Sequence, residues 1–209
     1  MALRIQGGTF TAGTSLSIPT HRPGDLILLF AYRSTSNLAI TVPSASATVP
    51  TWTTGGTSNA NATYSVFAYA FATISAHTSG TWTNANIIQV VVIRNVASVG
   101  PVVRNTGSSS TINYAALTPQ NTNGTSVIGA FAAANTASTT SGIDTPPSGM
   151  VIFAGSNTSP RQVFHYSGVV RGFPRGLTSF SSANVNNTFI SAWTTWVFEM
   201  KPKRASMIS

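Results

Sequence analysis

The sequence predicts an all-β protein folded as a single β-sandwich, and three observations carry that expectation. The apolar runs are short enough to be strands, they are bounded by Gly, Pro, Asn and Ser, and several alternate with the two-residue period of a half-buried strand. A chain of 209 residues suits one such unit, since sandwiches often run to about 200 residues as one domain.

In chain order, Phe10, Leu16 and Ile18 are separated by Thr, Gly and Ser, and the alternation around Leu16 and Ile18 predicts a half-buried first strand. His21-Arg22-Pro23-Gly24-Asp25 is a turn, because Pro fixes φ, Gly accepts positive φ and Asp bonds backbone amides. Leu26 to Tyr32 is a continuous apolar run, the mark of a strand buried on both faces. Residues 34–61 read as loop, punctuated by Pro43, Pro50, Gly55 and Gly56, with a short strand expected at Ala39 to Val42.

From Thr63 to Ile74 one face carries Phe67, Tyr69 and Phe71 and the other Tyr64, Val66, Ala68, Ala70 and Ala72. That strand should lie between a thick core layer and a closely approaching second surface. Ile87 to Ile93 is a third buried strand, and Val99 to Val103 a short continuation. Residues 107–113 and the segment around Pro119 read as loops. Further strands are expected at Ser126 to Ala134, Met150 to Ala154, Gln162 to Val170 and Ser191 to Met200. Residues 1–200 then form the sandwich and 201–209 a basic C-terminal tail. The Thr-Trp-Thr triplets at 51–53 and 81–83 are too short to define an internal repeat.

A 42 % hydrophobic content is enough for a real core, and the absence of cysteine removes disulfides and thiolate metal sites. Charged residues are 7 % of the chain where about 25 % is usual, so Ser, Thr, Asn and Gly must cover the surface. Such a surface suits a subunit packed against neighbours, or an extracellular protein. The net charge is +8, but the 11 basic residues are spread along the chain and only Lys201, Lys203 and Arg204 cluster, so nucleic-acid binding is not the expected role. The residues before the first glycines lack an apolar run, and the most apolar stretch, Ile87 to Val103, is interrupted by Gln89, Arg94, Asn95 and Pro101. Neither a cleaved leader nor a membrane span is read.

Catalysis would have to use Asp25, Asp144 and Glu199, the three carboxylates, or His21, His77 and His165. Asp25 is most simply a turn-former, Glu199 the partner of a nearby cation and Asp144 a loop residue. The histidines lack a metal spacing, and no G-x-S-x-G elbow is present. No catalytic, cofactor or metal residue is therefore assigned. Candidate interaction residues are Trp52 in its Gly/Pro-flanked loop, Arg171, Phe173 and Arg175 in Arg-Gly-Phe-Pro-Arg-Gly, and Lys201, Lys203 and Arg204. Trp82 and Trp196 read as core.

The order of a Pro-Gly-Asp turn, a hydrophobic strand, a Pro-Thr-Trp-Thr loop, a Tyr-rich strand and a Gly-Thr-Trp-Thr segment resembles tailed-bacteriophage virion structural proteins. Gly24, Asp25, Trp52, Tyr64 and Trp82 carry the resemblance, over about the first half of the chain. Thr51 departs from the Gly that precedes the tryptophan in that group. The resemblance implies a jelly-roll-like β-sandwich located in the virion, without enzymatic activity or cofactor. Its implied role is a capsid decoration or cement subunit binding neighbouring capsid proteins. Such assemblies are commonly homo-oligomeric, trimers included. The alternative is a tail-fibre or other tail-associated protein that binds a receptor or glycan.

Overall fold

The computed structural model describes residues 3–120, 126–135, 146–155, 161–167 and 183–203. Every regular element among them is a strand: β1 (Arg4–Thr11), β2 (Leu26–Arg33), β3 (Thr53–Ala60), β4 (Thr63–Phe71), β5 (Ile87–Arg94), β6 (Val96–Tyr114), β7 (Val127–Ala134), β8 (Met150–Gly155), β9 (Arg161–Ser167) and β10 (Ala183–Pro202). They form two five-stranded antiparallel sheets, packed face to face as the expected sandwich. No helix long and apolar enough to cross a membrane occurs among the described residues.

The strand orders are β1-β5-β2-β4-β3 and β6-β10-β7-β9-β8. Each half of the chain builds its own sheet, and the two orders are the same order: first, fifth, second, fourth, third. The agreement extends to register. Phe30 on β2 faces Phe67 on β4, and Phe131 on β7 faces Phe164 on β9. The register of β3 shifts between Thr54 and Gly56, just before the residue opposite Phe67, and that of β8 between Ile152 and Ala154, just before the residue opposite Phe164. These matching bulges, each bending an edge strand at the same place, make the halves two versions of one unit. Edge strand β1 lies by β8 and edge strand β3 by β6, the pairing that a two-fold axis along the strands would produce.

The core follows from the alternation of strand side chains. Leu26, Leu28, Phe30 and Tyr32 of β2 point inward with Phe67, Val91, Phe131, Phe164, Trp196 and Phe198. Phe67 stacks on Phe198 at 4.6 Å, and Phe30 lies 5.3 Å from Phe131. Polar groups also cross the layer: Trp196 Nε1 donates to Ser65 Oγ at 3.1 Å, and Tyr32 OH donates to the Ala192 carbonyl. At Gly56 a Cβ would come within 2.6 Å of the Trp196 ring, so only glycine lets β3 pass the indole.

The outer face of the first sheet, with Ile27, Leu29, Val66, Ala68, Ile88 and Val90, is covered by connecting segments that bring Ile18, Ile40 and Trp82 onto it. The alanines of β4 are the small residues beneath that cover. On the second sheet, Ile128, Ala130, Ala132, Val197 and Trp193 pack with Ile112, Tyr114 and Leu117.

Several expectations are corrected. The first strand is Arg4–Thr11, whereas Ser17, between Leu16 and Ile18, forms only an isolated bridge to Thr78. Ala39 to Val42 likewise reduces to a bridge from Thr41 to Thr83. Residues 53–60 and 107–113, read as loops, are strand β3 and the C-terminal part of β6. Both are edge strands of Thr, Ser, Gly and Asn that bury little and therefore carry no apolar period. Asn61 and Ala62, with φ of 55° and 57°, turn β3 into β4 in the type I′ manner. β10 continues through Pro202, so Lys201 and Pro202 belong to the sandwich and not to a tail.

Candidate interaction site

β1 and β2 begin, and β5 and β10 end, at one pole of the sandwich, and side chains distant in sequence meet there. The turn entering β2 is closed by Asp25 N donating to Arg22 O at 3.0 Å, with Gly24 at φ 86° in the position a type II turn reserves for glycine. The Asp25 carboxylate accepts from Arg22 N at 3.1 Å. It also takes both arms of Arg94, Nε to Oδ1 at 2.9 Å and Nη2 to Oδ2 at 2.7 Å. This fork-to-carboxylate pair ties the second strand of the unit to the end of its fifth.

Burial alone raises the Asp25 carboxyl. The Arg94 hydrogen bond, the Arg22 amide and the two arginine charges outweigh it, so the carboxyl lies below its ordinary value.

The second half repeats the placement with other chemistry. Leu26 faces Ile93 and Val127 faces Met200, so Ser126 stands where Asp25 does and Lys201 where Arg94 does. Ser126 Oγ donates to Glu199, whose other oxygen accepts from Gln120 N at 3.0 Å and lies 3.9 Å from Lys201 Nζ. Lys201 also donates to Gln120 Oε1 at 2.8 Å. Lys203 N donates to Asn95 O, and the Lys203 ammonium lies against Gly24. Arg4 opens β1 directly opposite Arg94.

The pole therefore gathers Arg4, Arg22, Arg94, Lys201 and Lys203. Among the described residues its carboxylates are Asp25 and Glu199, 2 % and 0 % exposed. Arg4, Arg22 and Lys203 are exposed to solvent. Of these basic residues, sequence reasoning singled out Lys201 and Lys203 only. The others become neighbours once strand ends are paired, and the positions of Arg4 and Arg94 at strand termini were the one available signal.

Trp52 is half-buried. Its Nε1 donates to Ser79 O at 3.2 Å and its ring meets Trp82 edge-on at 5.5 Å. Trp82 and Trp196 are both buried, Trp82 in a connecting segment and Trp196 on β10. Arg171, Phe173, Arg175, Arg204 and Asp144 lie outside the described residues.

His21 and His77 stack with ring centroids 5.6 Å apart. Their Nδ1 atoms face the carbonyls of Pro19 and Thr48 and so must donate, while each Nε2 accepts from a backbone amide, of His77 and Thr73 respectively. The pair fastens the 72–78 connection to the turn before β2. Among the described residues, no three His, Cys, Asp or Glu side chains gather as a metal would require. Compared with known family models, curated proteins and solved structures, the chain matches none.

Two predictions follow from these contacts. Asp25→Asn should lower stability by about 1–3 kcal/mol near neutral pH, the cost of leaving the part-buried Arg94 guanidinium without its charged hydrogen-bond acceptor. Because the folded carboxyl is depressed, its contribution is complete above the unfolded value of about 4 and is lost as pH falls through the folded value. Urea unfolding at neutral and acid pH should thus show a steeper acid loss for the parent than for Asp25→Asn; parallel profiles would contradict it. Trp52→Ala should cost about 1–3 kcal/mol, read as a Tm lowered by roughly 3–10 °C. An unchanged Tm would show the indole to be free of the core.

Proposed function

We propose that this chain is a non-enzymatic virion structural protein, a capsid decoration or cement subunit that binds neighbouring capsid proteins. The observation that carries the reading is the division of labour among its charges. With 3 acidic residues in 209, the chain spends Asp25 and Glu199 on buried bonds that hold strand ends together. The described surface is otherwise mostly hydroxyl, amide and glycine, except for the basic pole. A surface so poor in mixed charge favours standing association over free diffusion. Homo-oligomerisation, as a trimer or otherwise, belongs to the same proposal.

The resemblance of Gly24, Asp25, Trp52, Tyr64 and Trp82 to tailed-phage virion proteins supports a location in the particle. In this chain those residues have structural work: the turn before β2, the cover over the first sheet and the partly buried Tyr64 packed against it. A tail-fibre or other tail-associated glycan-binding role is the second reading. Trp52, half-exposed between exposed Thr51 and Thr53, is the feature that favours it.

Quantitative mass spectrometry of purified particles, normalised to the major capsid subunit, tests the proposal. Hundreds of copies per particle are expected of a lattice-wide decoration subunit. A few to a few tens would move the chain to the tail, and absence from the particle would overturn the reading.

A further inference from the structure

Five basic residues that are dispersed over 200 positions of sequence converge at one pole, and the two carboxylates beside them are buried. We infer that this pole docks a carboxylate-rich surface of a different protein. The inference rests on the proposed role only for where that partner is found; the chemistry of the pole stands on its own.

Arginine predominates at the pole, and its planar fork matches a carboxylate in two parallel bonds, as Arg94 already does with Asp25. Arg22 adjoins Pro23, which is exposed, and the same turn is hydrogen-bonded to Ala72, which follows Phe71. Phe71 and nearby Ile74 are 36 % and 37 % exposed. Exposed apolar side chains beside the turn that carries Arg22 have the make-up of a protein interface, where apolar and polar groups adjoin.

A second copy of the chain does not supply the complementary charge. It has three acidic residues, two of which are buried in its own pole. Nucleic acid is disfavoured by count. Among the described residues the pole has three exposed cations, Arg4, Arg22 and Lys203, which would neutralise about three phosphates, for a salt exponent near −3, where firm DNA binders make about six to ten such contacts.

The test uses the full-length chain with a labelled oligoglutamate peptide and, in parallel, a single-stranded oligonucleotide of equal formal charge, each followed by fluorescence anisotropy. The peptide should bind, and raising the salt from about 50 to about 200 mM should weaken it. The Arg4→Gln, Arg22→Gln, Lys203→Gln triple variant should bind it about tenfold more weakly while still unfolding cooperatively, with a Tm within about 4 °C of the parent, since exposed charges contribute little to stability. Arg104→Gln, which removes one charge at mid-strand, should bind within about twofold of the parent, and Arg22→Gln alone measurably more weakly. Undiminished peptide binding by the triple variant, no binding by the parent, or preference for the oligonucleotide would each overturn the inference. No particle enters this assay, so its failure is separable from a failure of the virion reading, which copy number decides.

Discussion

The contact on which the rest of the structure depends is the meeting of two aromatic inner faces. Phe30 and Phe67 come from one half of the chain, Phe131, Phe164, Trp196 and Phe198 from the other, and each half buries its inward side chains on the opposite half. A five-stranded sheet with that face in water would expose several large aromatics, each contributing about 1.5–3 kcal/mol when buried. The halves share strand order, bulge position and the placement of a phenylalanine pair because both must present the same kind of surface to the same kind of partner.

How much of this was legible in the sequence depended on where the apolar residues lie. β2, β4, β5 and β7 are central strands buried on both faces, so their runs announce them, and the aromatic and alanine faces of β4 pointed to the core and the cover respectively. β3 and the C-terminal part of β6 are edges made mostly of Thr, Ser, Gly and Asn, held chiefly by backbone pairing, which leaves little apolar pattern to read. The duplication was hidden for a related reason. Equivalent positions hold Phe30 and Phe131, but also Gln89 and Trp196, or Ser65 and Gln162, so the backbone plan repeats while the residues do not. The visible Thr-Trp-Thr triplets are not equivalent positions: residues 51–53 lead into β3 and residues 81–83 lie in the connection before β5.

The basic pole was illegible for a topological reason. Its members lie at the ends of strands or in the turn before one, and three strands of each sheet begin at this end of the sandwich while two finish there. Antiparallel pairing therefore brings Arg94 beside Arg4 and Asp25, and the return of β10 sets Lys203 against Gly24. Spacing along the chain says nothing of this until the strand order is known. Once it is known, the uneven charge of the chain becomes a localised feature of a surface that is otherwise hydroxyl and amide.

The central structural claim is that neither half is a protein without the other, and splitting the chain after Asn95, the single residue between β5 and β6, tests it directly. The two halves would be produced separately, mixed, and followed by near-ultraviolet circular dichroism and urea unfolding. Neither half should form a folded monomer, and mixing should yield a one-to-one complex with the aromatic signal and single cooperative transition of the intact chain. A half that unfolds cooperatively as a monomer, with stability close to that of the whole, would contradict it.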